Sequence, residues 1–256
     1  MACGMFGKLS AKRDFISVSA PQSFLKVWEP WITGSITASR LKMKMAWQES
    51  YLTAPIWRFW LGAGHCGVPV AGAFMASLDG VGRFFPLTVL ALSPADHAIP
   101  SPADDPQDAW YEAAEDFLLM TLDQDLPYED FTEALGKLAA PASLPPAAAA
   151  TSILSPSEAV RIIGLTDMKA PDAIAAIGKA DAASDEPMLS YWWTSGGEGF
   201  PPHLMKAFGL PEVDLFTFML TGHIDGVAPP AAVAAGAETE AASQAAAGAV
   251  TEAGAA

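Results

Sequence analysis

The sequence predicts an α/β (α+β) fold in which helices sandwich a central sheet. Three observations carry this prediction. The segments Val68–Leu78 and Val81–Leu92 are almost continuously apolar, the pattern of strands covered on both faces. They meet at Asp79-Gly80, a dipeptide favoured in tight hairpin turns because type I′ geometry needs positive φ at both central positions. Helical periodicity lies on either side of them, with Phe24, Trp28, Trp31 and Ile32 upstream and Trp110, Ala113, Ala114, Phe117, Leu118 and Thr121 downstream.

Taken in order, Cys3–Leu9 reads as a short strand running into a loop over Ser10–Asp14. Pro21 opens a helix, and Pro30 predicts a kink or break in it, because proline lacks the N–H that the i−4 carbonyl needs. Gly34-Ser35 restarts a helix whose apolar face is Ile36, Met43, Trp47 and Tyr51, with Lys42 and Lys44 off that face. Ile56–Leu61 reads as an aromatic strand, followed by the two hairpin runs. Pro86 cannot donate to a ladder and marks an edge or a bulge. After a Ser/Pro/Asp loop, Asp105 caps a helix with Pro106 at its first position, and that helix carries an acidic face of Asp108, Glu112, Glu115 and Asp116. A shorter helix presents Phe131, Leu135 and Leu138.

Residues 139–152 form a Pro/Ala linker. Ser155-Pro156-Ser157-Glu158 has the capping-box form and predicts a helix onward from there. Pro171-Asp172 opens another with Ile174 and Ile177. Met188–Thr194 reads as a strand, Gly196, Gly197 and Gly199 as a loop, Leu204–Phe208 as a helical turn stopped by Gly209 and Pro211, and Asp214–Leu220 as a last helix ending at Gly222. The organisation expected is an N-terminal core over 1–138, completing elements of the same fold over 139–225, and a disordered Ala-rich tail over 226–256, whose composition offers little apolar surface to offset ordering entropy.

Charge is uneven. Residues 1–94 hold 9 Lys+Arg and 4 Asp+Glu, whereas residues 95–256 hold 5 and 25, within a net charge of -15. An acidic chain is a poor nucleic-acid binder, since phosphate backbones require cationic footprints. With two cysteines, Cys3 and Cys66, neither a disulfide framework nor a structural zinc site is expected. No secretory leader and no 18-residue apolar run is visible, so the chain reads as cytoplasmic, without membrane insertion.

No catalytic constellation emerges. His65, His97, His203 and His223 lack metal-ligand spacing, so no metal and no cofactor is expected. His65 and Cys66, as neighbours on a strand, would point to opposite faces and not form a nucleophile–base pair. Ser195-Gly196-Gly197-Glu198-Gly199 lacks the lysine of a phosphate loop. What stands out is cations among large rings: Arg58 within Trp57-Arg58-Phe59-Trp60, and Arg83 before Phe84-Phe85, with Trp192-Trp193 as further aromatic surface. A mid-strand arginine must be paired or reach an edge, and Asp79 and Asp14 are its candidate partners. Trp and Arg also dominate binding hot spots.

Scattered short motifs then align with one family: Gly4, Phe6, Gly7, Lys8, Leu9, Asp14, Phe15; Trp28 and Trp31; Ala54, Pro55, Trp57, Arg58, Phe59; Ser77, Asp79, Val81, Gly82, Arg83, Phe85, Pro86, Leu87; and Ser190, Trp192, Trp193, Gly209, Leu210, Pro211, Gly222. Through them residues 4–222 resemble the TagF (ImpM-like) accessory proteins of bacterial type VI secretion systems. Ser10, Arg13 and Ala76 depart from that family's pattern, which has proline, glycine and proline there. The resemblance implies a largely antiparallel central sheet, longin- or profilin-like, and a non-catalytic post-translational regulator whose partner is a cytoplasmic forkhead-associated scaffold protein. Lys8, Asp14, Phe15, Trp57, Arg58, Asp79, Arg83 and Trp193 are the partner-binding candidates, either facing the partner or supporting the face that does. A structural subunit of the secretion apparatus, or a hydrolase or phosphatase, are the alternative readings.

Overall fold

The computed structural model describes residues 3–144, 160–165 and 187–223, and in them the chain builds an antiparallel eight-stranded sheet. Its strands are β1 (Gly4–Gly7), β2 (Ile16–Val18), β3 (Trp57–Leu61), β4 (Val70–Met75), β5 (Leu87–Leu92), β6 (Val160–Gly164), β7 (Leu189–Thr194) and β8 (His203–Phe208). They lie in the order β2-β1-β5-β4-β3-β7-β8-β6, and every neighbouring pair is antiparallel. Strands β3, β4 and β7 are buried at every position, as expected of apolar- and aromatic-rich strands in a sheet covered on both sides.

Helices α1 (Gln22–Met43), α2 (Trp47–Thr53) and α6 (Phe216–Thr221) cover one face; α4 (Asp108–Met120) and α5 (Tyr128–Lys137) cover the other. Side-chain alternation along β3 feeds both cores. Trp57, Phe59 and Leu61 pack toward α1, where Trp28 lies 4.5 Å from Phe59 and 5.9 Å from Trp192 by ring centroid. Trp60 packs in the opposite core with Tyr111 and Phe117 of α4.

Several expectations are overturned. Pro30 does not break α1, which runs unbroken through it. Pro30 faces solvent, while Phe24, Trp28, Trp31, Ile32 and Ile36 bury the opposite side. Burial at roughly 2 kcal/mol per large apolar side chain exceeds the ~3 kcal/mol cost of a mid-helix proline. The chain turns instead at Lys44, which takes φ 52° and starts a 3-10 turn over Lys44–Ala46 that redirects it into α2.

Leu204–Phe208 is strand, not helix: it lies within β8 and pairs with both β6 and β7. A five-residue segment, here with Lys206 at its centre, is too short for periodicity to decide between the two. The helix expected from Ser155 is replaced by β6 over Val160–Gly164, while residues 155–159 lie outside the described residues, as does the helix placed at Pro171. The strand β2 (Ile-Ser-Val) alternates over only three residues, too few to announce it; pairing with β1 defines it. His65 and Cys66 sit on a one-turn helix, α3 (Ala63–Cys66), rather than a strand. There the His65 imidazole hydrogen-bonds the Met188 carbonyl at 3.0 Å, and Cys66 is buried. Helix α4 begins at Asp108, after Asp105 accepts a hydrogen bond from the Gln107 N–H. The residues from 224 onward lie outside the described residues.

Candidate functional site

Antiparallel pairing brings two long connections to the same end of the sheet. The β1–β2 connection (8–15) leaves where β1 ends, and the β4–β5 connection (76–86) spans the neighbouring strands. Strands β4 and β5 do form a hairpin, but not through a two-residue turn at Asp79-Gly80. The left-handed position is Gly82 (φ 82°), and the loop is organised around the Asp79 side chain. Asp79 Oδ1 accepts from the N–H groups of Val81 (3.1 Å) and Arg83 (2.9 Å), the aspartate turn that makes Asp useful away from its own backbone. Gly80 is required for a different reason than positive φ. Its N–H donates to the Lys12 carbonyl at 2.7 Å, and a Cβ there would stand 2.9 Å from the Ser10 carbonyl oxygen. The two loops interlock through backbone at this point.

The second carboxylate oxygen of Asp79 joins the loops electrostatically. Oδ2 lies 3.0 Å from Lys8 Nζ and 2.7 Å from Arg83 Nε, and the Asp79 side chain is wholly buried. Burial opposes the Asp79 charge. The Arg83 N–H, the Lys8 ammonium, the Arg83 guanidinium and the Val81 N–H outweigh it and hold the carboxyl below the usual carboxylate range. Arg83 also donates to the Arg13 carbonyl and reaches Asp14, whose Oδ1 is 4.0 Å away on a side chain almost fully in solvent. Ser77 Oγ donates to the Lys8 carbonyl at 2.8 Å, and the Tyr51 hydroxyl donates to the Ser77 carbonyl at 3.1 Å, anchoring the pair of loops to α2.

On this base sits an aromatic surface. Phe15 packs on Phe85 (4.7 Å between centroids) and Phe6 (5.9 Å), with the Lys8 ammonium 5.1 Å from its ring, yet it remains 51% exposed. Val81 at the tip of the other loop is exposed, and Lys12 lies over the Tyr128 ring at 4.1 Å. Five of the eight candidates, Lys8, Asp14, Phe15, Asp79 and Arg83, therefore form one lip: a half-exposed ring and two exposed loop tips fixed by an ion cluster centred on the buried Asp79.

The remaining three, Trp57, Arg58 and Trp193, are buried elsewhere. Arg58 is not paired with Asp79 or Asp14. Its guanidinium makes a two-pronged contact with Glu115 of α4, Nε to Oε1 at 2.7 Å and Nη2 to Oε2 at 2.8 Å, with Asp108 3.8 Å away. Burial works against this cation, but the Glu115 carboxylate more than compensates and raises its pKa above the ordinary value. Tyr111 stacks edge-on to Trp193 at 4.6 Å beside it. Trp57 donates its indole N–H to the Met219 carbonyl at 2.9 Å. Glu115 reads as part of a solvated acidic face in the sequence, yet it lies four residues after buried Tyr111 and three before buried Leu118. That spacing places it at the border of the buried stripe. Among the described residues no group of three or more His, Cys, Asp or Glu is placed to hold a metal ion, and no helix is long and apolar enough to cross a membrane.

Comparison with known proteins is consistent over most of the chain. Residues 4–138 match the TagF N-terminal domain, described as type VI secretion system-associated. Among solved structures, that of PA0076 from Pseudomonas aeruginosa PAO1 is similar, with 32% identity and a TM-score of 0.71 over 90% of this chain and 98% of its own. No curated protein matches.

Proposed function

Because the chain belongs to the TagF family of type VI secretion system-associated proteins, we propose that it is a non-catalytic post-translational repressor of such a system. It acts in the cytoplasm by binding the forkhead-associated scaffold protein, and the scaffold so occupied no longer supports assembly of the apparatus. The observation that carries this reading is the lip. Phe15 leaves half of its ring in water on top of Phe85, above the buried Lys8–Asp79 pair that the half-exposed Arg83 joins. A partly exposed aromatic packed on other rings, with an exposed arginine in the same pair of loops, is the composition of a protein-binding hot spot. In this reading Trp57, Arg58 and Trp193 support the sheet on which the lip stands.

The experiment is capture of the purified forkhead-associated scaffold of the same organism by the full chain, with Phe15→Ala and Arg83→Glu compared by circular dichroism to confirm folding. Binding by the wild type that both folded variants lose supports the proposal. A wild-type chain that leaves the scaffold in solution sinks the partner assignment, and undiminished binding by both variants sinks the lip.

A further inference from the structure

Away from the lip, the molecule exposes two patches of opposite charge and matching apolar content. The first is the elbow between α1 and α2. Leu41 is 74% and Met45 96% exposed, one helical turn apart, with Arg40, Lys42 and Lys44 beside them. No acidic residue occurs between Glu29 and Glu49. The elbow is a fixed shape: Lys44 holds φ 52°, and the Arg40 guanidinium packs over the Trp47 ring at 4.1 Å. The second is the end of α4 and the turn after it. Leu119 and Leu122 are 51% and 57% exposed, again one turn apart, flanked by exposed Glu112, Asp116, Asp123 and Asp125. No lysine or arginine occurs between Arg83 and Lys137.

We propose that this chain self-associates head to tail, the basic elbow of one copy seating on the acidic α4 ridge of the next. Each patch offers two neighbouring apolar side chains in a ring of one charge, and each is the electrostatic complement of the other. A second copy fits better than an anionic bilayer. The elbow's three cations fall short of the roughly 4–8 that mark lipid-binding clusters. Between screened patches only nearby charge counts, within a Debye length of about 8 Å at physiological salt, and the stretch 30–48 carries cations and no carboxylate. The elbow belongs to the helical layer on one face of the sheet and α4 to the layer on the other. One copy therefore engages two different neighbours, and a contact between unlike patches extends beyond a dimer.

Sedimentation velocity and light scattering of the full chain test this. In low salt the weight-average mass rises with concentration past that of two chains, and in high salt it returns to one. Lys42→Glu/Lys44→Glu and Asp116→Lys/Asp125→Lys each stay single, and mixing the two variants restores association, because the reversed elbow now fits the reversed ridge. Met45→Glu, at an almost fully exposed position, serves as the elbow variant if the lysine pair disturbs the circular dichroism spectrum. A chain that is single at every concentration overturns the proposal, as do growth that halts at two copies, association indifferent to salt and to the variants, and a mixture that stays single. Association with anionic vesicles by an otherwise single chain also overturns it, in favour of a lipid-facing elbow.

Discussion

Lys8 and Asp79 meet at 3.0 Å, Nζ to Oδ2, with side-chain exposures of 8% and 0%. The pair closes one loop onto another across a sheet end, and Arg83 shares the same oxygen at 2.7 Å. Removing one partner of such a cluster strands the other charge in the interior, which costs more than the pair itself contributes. Asp79→Ala also strips the acceptor from the Val81 and Arg83 N–H groups. The expected outcome is a lower melting temperature together with faster amide exchange confined to residues 8–15 and 76–86, followed by hydrogen exchange.

The same carboxyl makes stability depend on pH. Its folded pKa lies below the usual carboxylate range, while the unfolded chain takes up the proton near pH ~3.9. A depressed folded pKa contributes stability that is fully present above the unfolded value and fades as pH falls through the folded one. The denaturant midpoint of the wild type therefore exceeds that of Asp79→Asn by a constant margin near neutrality, and the margin narrows below about pH 4. Parallel acid limbs in the two proteins would refute this.

Glu115→Ala leaves the Arg58 guanidinium buried between Tyr111 and the sheet with its principal partner gone. Destabilisation of about 3–5 kcal/mol is expected from urea unfolding. The double replacement Arg58→Met/Glu115→Leu recovers most of that loss, since well-packed apolar side chains replace a buried ion pair at little cost. A double variant as unstable as Glu115→Ala would show that the charge itself is needed.

Phe15→Ala removes the exposed ring but spares the ion cluster beneath it. Near-wild-type melting with partner affinity reduced roughly 30-fold is expected from titration calorimetry, the scale of a ~2 kcal/mol hot-spot residue. Val81→Ala, at the neighbouring tip, produces a smaller loss.

Both thiols are buried, and burial raises the pKa of Cys3 and pushes that of Cys66 up to about 11. Neither forms appreciable thiolate at mildly alkaline pH while the fold is intact. A thiol reagent at that pH labels the native chain slowly and both cysteines promptly in denaturant. Fast native labelling of Cys66 would mean that α3 opens readily.

The strands β3, β4, β5 and β7 are legible in the sequence because burial on both faces leaves them dominated by apolar and aromatic residues. So is α4, whose stripe from Trp110 to Thr121 repeats with helical period. The motifs around Lys8, Asp79 and Arg83 could be gathered as one set of candidates from their resemblance to a family, but their contacts could not. That Asp79 serves Lys8 and Arg83, while Arg58 turns to Glu115 on a helix 57 residues away, follows from which loops and layers the sheet brings together. Local pattern likewise misjudged Pro30 and the run from Leu204 to Phe208. Proline's cost is local, whereas the burial of Trp28 and Trp31 that overrides it is tertiary. The five residues become strand because β6 and β7 offer them hydrogen-bond partners on both edges. The sequence by itself determined the layers, through residue-by-residue hydrophobic spacing. The tertiary structure alone decided the pairings of charges and strand edges, because those energies depend on distances between residues far apart in the chain.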